Sequence, residues 1–294
     1  MPQRTDLFLT ALAPAIWGSS YIVTTQMLPQ DMPLTVAMLR ALPAGLILLA
    51  WTRVFPPMGW YGRVFILGAL NFSIFWAMLF VAAYRLPGGL AATLGAVQPL
   101  LVLLLARFAL GREMNALGIA AALAGLVGVA LLVLGPNVAA DPVGILAALA
   151  GAASMAAGTV LTRKWQPPVS ALSFTAWQLA AGGLLLLPFS LMLEPTLPRL
   201  TATNIAGFAW LGLIGAALTY FLWFRGIAKF GPATVTAFGF LSPLTAVLLG
   251  WALLGQVMTP VQGIGAAIVL ASVWMGQRAG RSATEISHKS GITV

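Results

Sequence analysis

Ten apolar runs of about twenty residues, each as long as a helix must be to cross the ~30 Å hydrocarbon core of a bilayer, divide this chain from end to end. They fall at residues 7–27, 33–52, 64–84, 88–107, 115–134, 142–162, 170–192, 203–224, 231–254 and 259–277. None alternates polar and apolar residues as barrel strands do, so the chain predicts an all-α integral membrane protein with ten transmembrane helices. Proline marks several separators, among them Pro29, Pro33, Pro56, Pro57, Pro167 and Pro168. The first run continues to Met27, and Pro14 directly follows Ala11-Leu12-Ala13, so this run reads as a membrane helix rather than a cleaved leader.

Composition removes the main alternatives. With a mean hydropathy of +0.97 and only 7% charged residues, 294 residues cannot clothe a soluble domain in polar groups. A net charge of +9 would suggest nucleic acid on a soluble chain. Here the basic residues stand singly or in pairs between apolar runs, and no nucleic-acid partner is expected. They act as topology signals. If the chain starts in the cytoplasm, twelve basic residues face that side and only Arg85 and Arg199 face the other, with Arg40 left inside a span. Both termini are therefore expected in the cytoplasm. Cysteine is absent and the single histidine, His288, lies in a polar tail, so disulfides, thiolate metal sites and histidine chemistry within the membrane are not expected. No paired aspartates, Ser-His dyad or H-E-x-x-H element supports an enzyme, and no G-x-x-x-x-G-K-[ST] loop supports ATP binding. Neither a cofactor nor an ATPase subunit is implied.

The chain also repeats itself. Residues Tyr84 to Gly111 align with Ala228 to Gly255 at an offset of 144, which sets Gln98-Pro99 over Ser242-Pro243. A weaker match at an offset of 138 lays Arg40 to Leu49 over Gln178 to Leu187. The chain thus divides into two five-helix units, 1–139 and 140–278, with a polar cytoplasmic tail, 279–294, expected to lack fixed structure. Five is odd, so the second unit enters the membrane from the opposite side, and an inverted repeat of this kind is typical of secondary transporters.

These residues resemble a known family. The Trp17-Gly18-Ser19-Ser20-Tyr21 of the first run, the "AMLRALPAGLILL" of the second, and a Leu-Gly pair eleven residues after each repeat proline are similar to the drug/metabolite transporter superfamily, EamA type. The likeness covers about residues 7–277 and is nearest to bacterial exporters of amino acids, including aromatic ones. It implies a ten-helix exporter whose central cavity is lined by the first, third, fourth, sixth, eighth and ninth helices. One departure is visible: Glu113 follows the first Leu-Gly, but Val257 stands at the matching place in the second half.

Polar and aromatic groups that interrupt lipid-facing runs mark the candidate site. Trp17, Ser20, Tyr21 and Thr24 share one face of the first helix at i, i+3, i+4 and i+7. Asn71, Phe75 and Met78 share a face of the third, with Trp76 beside them; Asn71 reads equally as a ligand contact or a bond to a neighbouring helix. The matched intramembrane prolines, Pro99 and Pro243, are expected to act as hinges, with Gln98 and Ser242 as adjoining contacts. Gly144, Gly151 and Gly158 form a stripe for close helix contact, and Ser154 on the same helix is placed opposite Trp17. Tyr220 and Trp223 read either as interfacial belt residues or as an inner gate. Arg40, seven residues past Pro33 and so ~10 Å deep, serves either as a contact for a substrate carboxylate or as a clamp between helices. No carboxylate falls within a span, which favours facilitated diffusion or exchange over proton coupling. The expected function is alternating-access export of small amphipathic metabolites, foremost amino acids. A channel, or export of other metabolites or drugs, is the alternative.

Overall fold

Ser170 and Asp141 show how local sequence starts these helices: each accepts a hydrogen bond from a backbone amide of the first turn, Ser173 N at 3.1 Å and Val143 N at 2.8 Å. The computed structural model describes residues 2–29, 32–86, 94–111, 115–133, 141–255 and 259–289. Among these residues there is no strand. The helices are α1 (Pro2–Trp17, then Ser19–Met27), α2 (Pro33–Thr52) and α3 (Tyr61–Gly68, a π-turn over Ala69–Ser73, then Ile74–Arg85). They continue with α4 (Gln98–Leu110), α5 (Ala116–Val133), α6 (Pro142–Lys164) and α7 (Ala171–Leu193). The last three are α8 (Ala202–Ala209, a π-segment over Trp210–Leu218, then Thr219–Phe230), α9 (Pro232–Thr236, a 3₁₀ turn over Ala237–Phe240, then Leu241–Leu254) and α10 (Pro260–Lys289).

Six of the described helices are long and apolar enough to cross a membrane by themselves, and α4 and α5 are shorter apolar helices. Large apolar side chains cover the outside: Trp51 is 80% exposed and Met192 81%. In water such a surface would drive aggregation; in lipid it is the expected solvent contact.

Packing follows the repeat. The most extensive contacts are α2 with α7 and α5 with α10, each a pair of repeat-equivalent helices. α3 packs on α6 as α8 packs on α1, and α4 on α6 as α9 on α1. Close approach needs small residues, because lipid supplies no hydrophobic drive between helices. A Cβ on Gly45 would lie 2.3 Å from the backbone nitrogen of Ala180 across the α2–α7 seam. Gly111 and Gly255, the glycines of the two Leu-Gly pairs, end α4 and α9 with φ of +64° and +65°, the left-handed C-cap that side chains disfavour.

Two expectations need correction, and one feature was not anticipated. Helix α1 is not continuous: it breaks at Gly18, one turn after Pro14, where a Cβ would come within 2.6 Å of the Ser242 carbonyl oxygen on α9. The chain past Gly280 is helical to Lys289 rather than structureless, since its Ala, Arg, Glu and Lys content favours helix once α10 has nucleated it. The π-segments in α3 and α8 leave no apolar or proline signal, and the periodicity did not foretell them.

Gly45→Val should therefore lower the melting temperature of the detergent-solubilised protein, by the ~1–3 kcal/mol of overpacking, while Gly59→Ala, with open space around it, should leave it unchanged.

Candidate functional site

The site grows from the two π-segments. A π-turn loosens the regular ladder and turns carbonyls toward neighbouring helices. The Leu70 carbonyl in α3 accepts from Ser154 Oγ of α6 at 2.8 Å, and Ser73 Oγ in the same segment donates to the Gly182 carbonyl of α7 at 2.8 Å. In α8 the Gly215 carbonyl accepts from Arg40 Nη2 at 2.7 Å and from Thr219 Oγ1 at 2.9 Å. Thr219 Oγ1 accepts in turn from Trp17 Nε1 at 2.8 Å. One polar chain thus links α2, α8 and α1 through the protein centre.

Aromatic rings enclose that chain. The Trp17 ring centre lies 4.8 Å from Tyr220 and 5.0 Å from Trp223. Phe72 packs on Trp76 at 5.2 Å and on Tyr220 at 4.6 Å, and Trp76 meets Tyr220 edge-on at 6.1 Å. The Arg40 guanidinium lies over Trp76, 4.7 Å from its centre, a desolvated cation–π contact worth about 2 kcal/mol. Tyr220 and Trp223 are each only 1% exposed, so they belong to this core and not to an interfacial belt.

The other predicted residues take distinct places. Asn71 is fully buried and donates to Thr162 Oγ1 at 3.1 Å and to Gln178 Oε1 at 2.8 Å. It joins α3 to α6 and α7, which is the cross-helix reading. Ser154 has the same kind of role through its bond to Leu70. Gly144, Gly151 and Gly158 all face α3, against Leu86, Met78 and Asn71, so the stripe is a packing seam, and Met78 is part of it. Arg40 is 7% exposed and its guanidinium is engaged by Gly215 and Trp76, which supports the clamp. Phe75 and Gln98 line a cleft of about 30 Å³ with Leu79, Ala82, Ala148 and Gly151. Pro99 and Pro243 lie in the first turns of the main segments of α4 and α9, just after local breaks in the helix, where a missing amide proton costs nothing. The Ser20 hydroxyl is buried without a partner among the described residues, Thr24 and Ser242 are half-buried, and the Tyr21 side chain, Glu113 and Val257 lie outside the described residues.

Ion pairs stand at both ends of the bundle. At the face carrying both termini, Asp6 of α1 bonds Arg225 at 2.5 Å and Lys229 at 2.6 Å on α8. At the opposite face, Arg85 of α3 bonds Asp141 of α6 at 3.0 Å. The hydrogen bond from Lys229, aided by Arg225, holds the Asp6 carboxyl below its ordinary 3.8. At Asp141 the Val143 amide, then Arg85, does the same.

The EamA-like transporter family matches residues 5–134 and again 142–275. The chain belongs to this family. It is a multi-pass membrane transporter and not an enzyme, built of ten transmembrane helices as two inverted five-helix repeats. Protein PecM of Dickeya dadantii is 44% identical over 263 residues, 89% of this chain and 88% of its own length. The uncharacterized inner membrane transporter YedA of Escherichia coli is 30% identical over 269 residues, 88% of this chain and 86% of its own. A crystal structure at 18% identity covers 95% of this chain and 98% of its own with a TM-score of 0.80, a likeness of fold alone.

Sequence reasoning on this EamA-like transporter missed Thr219 and Gln178. The repeat offsets were the available signal: 144 carries Phe75 onto Thr219 and Trp76 onto Tyr220, while 138 carries Arg40 onto Gln178.

Thr219→Val strands the Trp17 N–H and should cost ~1–3 kcal/mol in thermal unfolding, while Thr219→Ser should stay near wild type. Because folding depresses the Asp6 pKa, its stabilisation is complete above the unfolded value near 3.8 and is lost as pH falls through the lower folded value. A melting curve followed from pH 7 downward should therefore stay flat, as far as this residue contributes, until about pH 3.8 and fall below it. Asp6→Asn should remove this part of the acid sensitivity.

Proposed function

We propose that this transporter works by alternating access, carrying small amphipathic metabolites outward across the bacterial inner membrane, foremost amino acids with aromatic or large apolar side chains. Both termini lie in the cytoplasm on this reading, as the distribution of basic residues favours. The supporting observation is an inequality between repeat-related grooves. Toward the face opposite the termini, α3, α4 and α6 leave the cleft of Phe75, Leu79 and Gln98. The matching groove of α8, α9 and α1 is filled by Trp17, by Trp223 and by Thr10, which lies against Gly226. Two halves of similar make and opposite orientation can exchange these two arrangements at little cost in energy.

The walls suit an amphipathic solute. Phe75, Trp17 and Trp76 supply apolar surface, and Gln98, Ser20, Thr24 and Ser242 supply neutral hydrogen-bonding groups. Pro99 and Pro243 flex beside the breaks in α4 and α9. Every carboxylate lies at a span end, in a loop or in the tail, so transport runs by facilitated diffusion or exchange rather than on a proton relay.

The test is uptake of radiolabelled tryptophan into proteoliposomes at zero pH gradient, with and without unlabelled tryptophan inside. Preloading should accelerate uptake several-fold; flux at conductance rates without acceleration would mean a channel. Trp17→Ala should change rate or preference while the amount of folded protein in the membrane holds. Equal loss of both would make Trp17 a packing residue only.

A further inference from the structure

The cleft and its filled counterpart can be compared position by position. An offset of 144 carries Phe75, Leu79 and Gln98 onto Thr219, Trp223 and Ser242, and an offset of 138 carries Trp17 onto Met155. On the filled side an indole occupies the groove. Its ring is that of Trp17, packed on Tyr220 and Trp223, and its single N–H donates to Thr219 Oγ1 at 2.8 Å. On the cleft side Met155 is buried in the core cluster with Phe72 and Trp76, and no indole stands among the described lining residues. The walls there are Phe75, Leu79 and the small residues Ala82, Gly95, Ala148 and Gly151. Gln98 is the one polar side chain among the lining residues, and its carboxamide makes no hydrogen bond among the described residues.

We propose that Gln98 is the selectivity residue of the cleft. It reads one N–H or O–H group on an otherwise apolar, uncharged aromatic ring, and the Trp17 indole shows in the counterpart groove how such a ring is held. The inference rests on the transport reading and names the part of the substrate that this groove takes. A carboxamide both donates and accepts, so its Oε1 receives a ring N–H as the Thr219 hydroxyl oxygen does. The lining residues carry no charge, so a charged head-group stays at the mouth while the ring goes in. The cleft of about 30 Å³ holds no more than a water, whereas a cavity of ~150 Å³ holds a benzene. A ring is therefore admitted only as α3, α4 and α6 part, and Gln98, next to Pro99 at the start of α4, moves with the part that yields. A ring that lacks the polar group buries Gln98 unpaired, which should reduce its transport about tenfold.

The experiment compares counterflow of L-tryptophan and 1-methyl-L-tryptophan, which lacks the ring N–H, through the full chain in proteoliposomes. Wild type should favour tryptophan about tenfold, and Gln98→Leu should bring the ratio within twofold of unity. A ratio is unaffected by the amount of folded protein. Discrimination that survives Gln98→Leu, or is absent from wild type, overturns the proposal. If wild type moves neither solute, the amino-acid reading falls, and Gln98 is judged separately. The chain has no cysteine, so in a Leu79→Cys variant only position 79, on the wall of the cleft with Gln98 intact, reacts with N-ethylmaleimide. Indole should slow that reaction at least threefold more than 1-methylindole does, and adding Gln98→Leu should make the two equal; equal effects with Gln98 present overturn the proposal.

Discussion

A backbone that crosses lipid has to satisfy its own hydrogen bonds, and the π-segments of α3 and α8 disturb the ladder that would do so. Each therefore has polar neighbours. Ser154 reaches the Leu70 carbonyl, and Arg40 and Thr219 reach the Gly215 carbonyl. These bonds draw α2, α6 and α1 onto the bulged helices, and the aromatic rings close around them. Much of the buried polar chemistry of the molecule is thus recruited by irregular backbone, and the groove-lining residues are held by it. Trp17 is the clearest case, since its ring position is set by a hydroxyl that is itself bonded to the π-segment.

The two halves meet one geometric demand with different chemistry. Arg40 and Gln178 are repeat equivalents, as are Gly215 and Asn71. In one half a guanidinium donates to a backbone carbonyl; in the other two carboxamides bond each other, with Thr162 beside them. Gly215 has no side chain to offer, so the longer arginine spans the gap, and stacking on Trp76 offsets part of the cost of its buried charge. Trp76 and Tyr220, also equivalent, touch at the centre, where the pseudo-twofold axis passes between them.

The ends of the bundle are likewise equivalent and unequal. Lys229 is the counterpart of Arg85, and each pairs with an aspartate at the start of a repeat-equivalent helix. Asp6 holds two cations with its side chain 15% exposed, while Asp141 holds one at 33%. The tighter pairing stands at the face where Trp17, Trp223 and Thr10 fill the groove, and the looser at the face where the cleft remains.

The ten spans, the class of fold and the inverted repeat were legible in the residues themselves, because crossing lipid demands a fixed length of apolar helix and an odd repeat must invert. The glycine seam of α6 was legible too, since spacing alone places Gly144, Gly151 and Gly158 on one face. The division of labour inside the site was not. Spacing puts Asn71 and Phe75 on one face of α3, but a π-turn at Ala69–Ser73 rotates the later turns of that helix, and only the packed structure turns Asn71 to Gln178 and Phe75 to the cleft. Whether Arg40 meets a substrate or a carbonyl depends on which helix lies across from it, and that is settled by close contact between small residues far apart in the chain. Local sequence determined which segments cross the membrane; tertiary packing decided which of their polar groups are bonded and which, like Gln98, have no partner among the described residues.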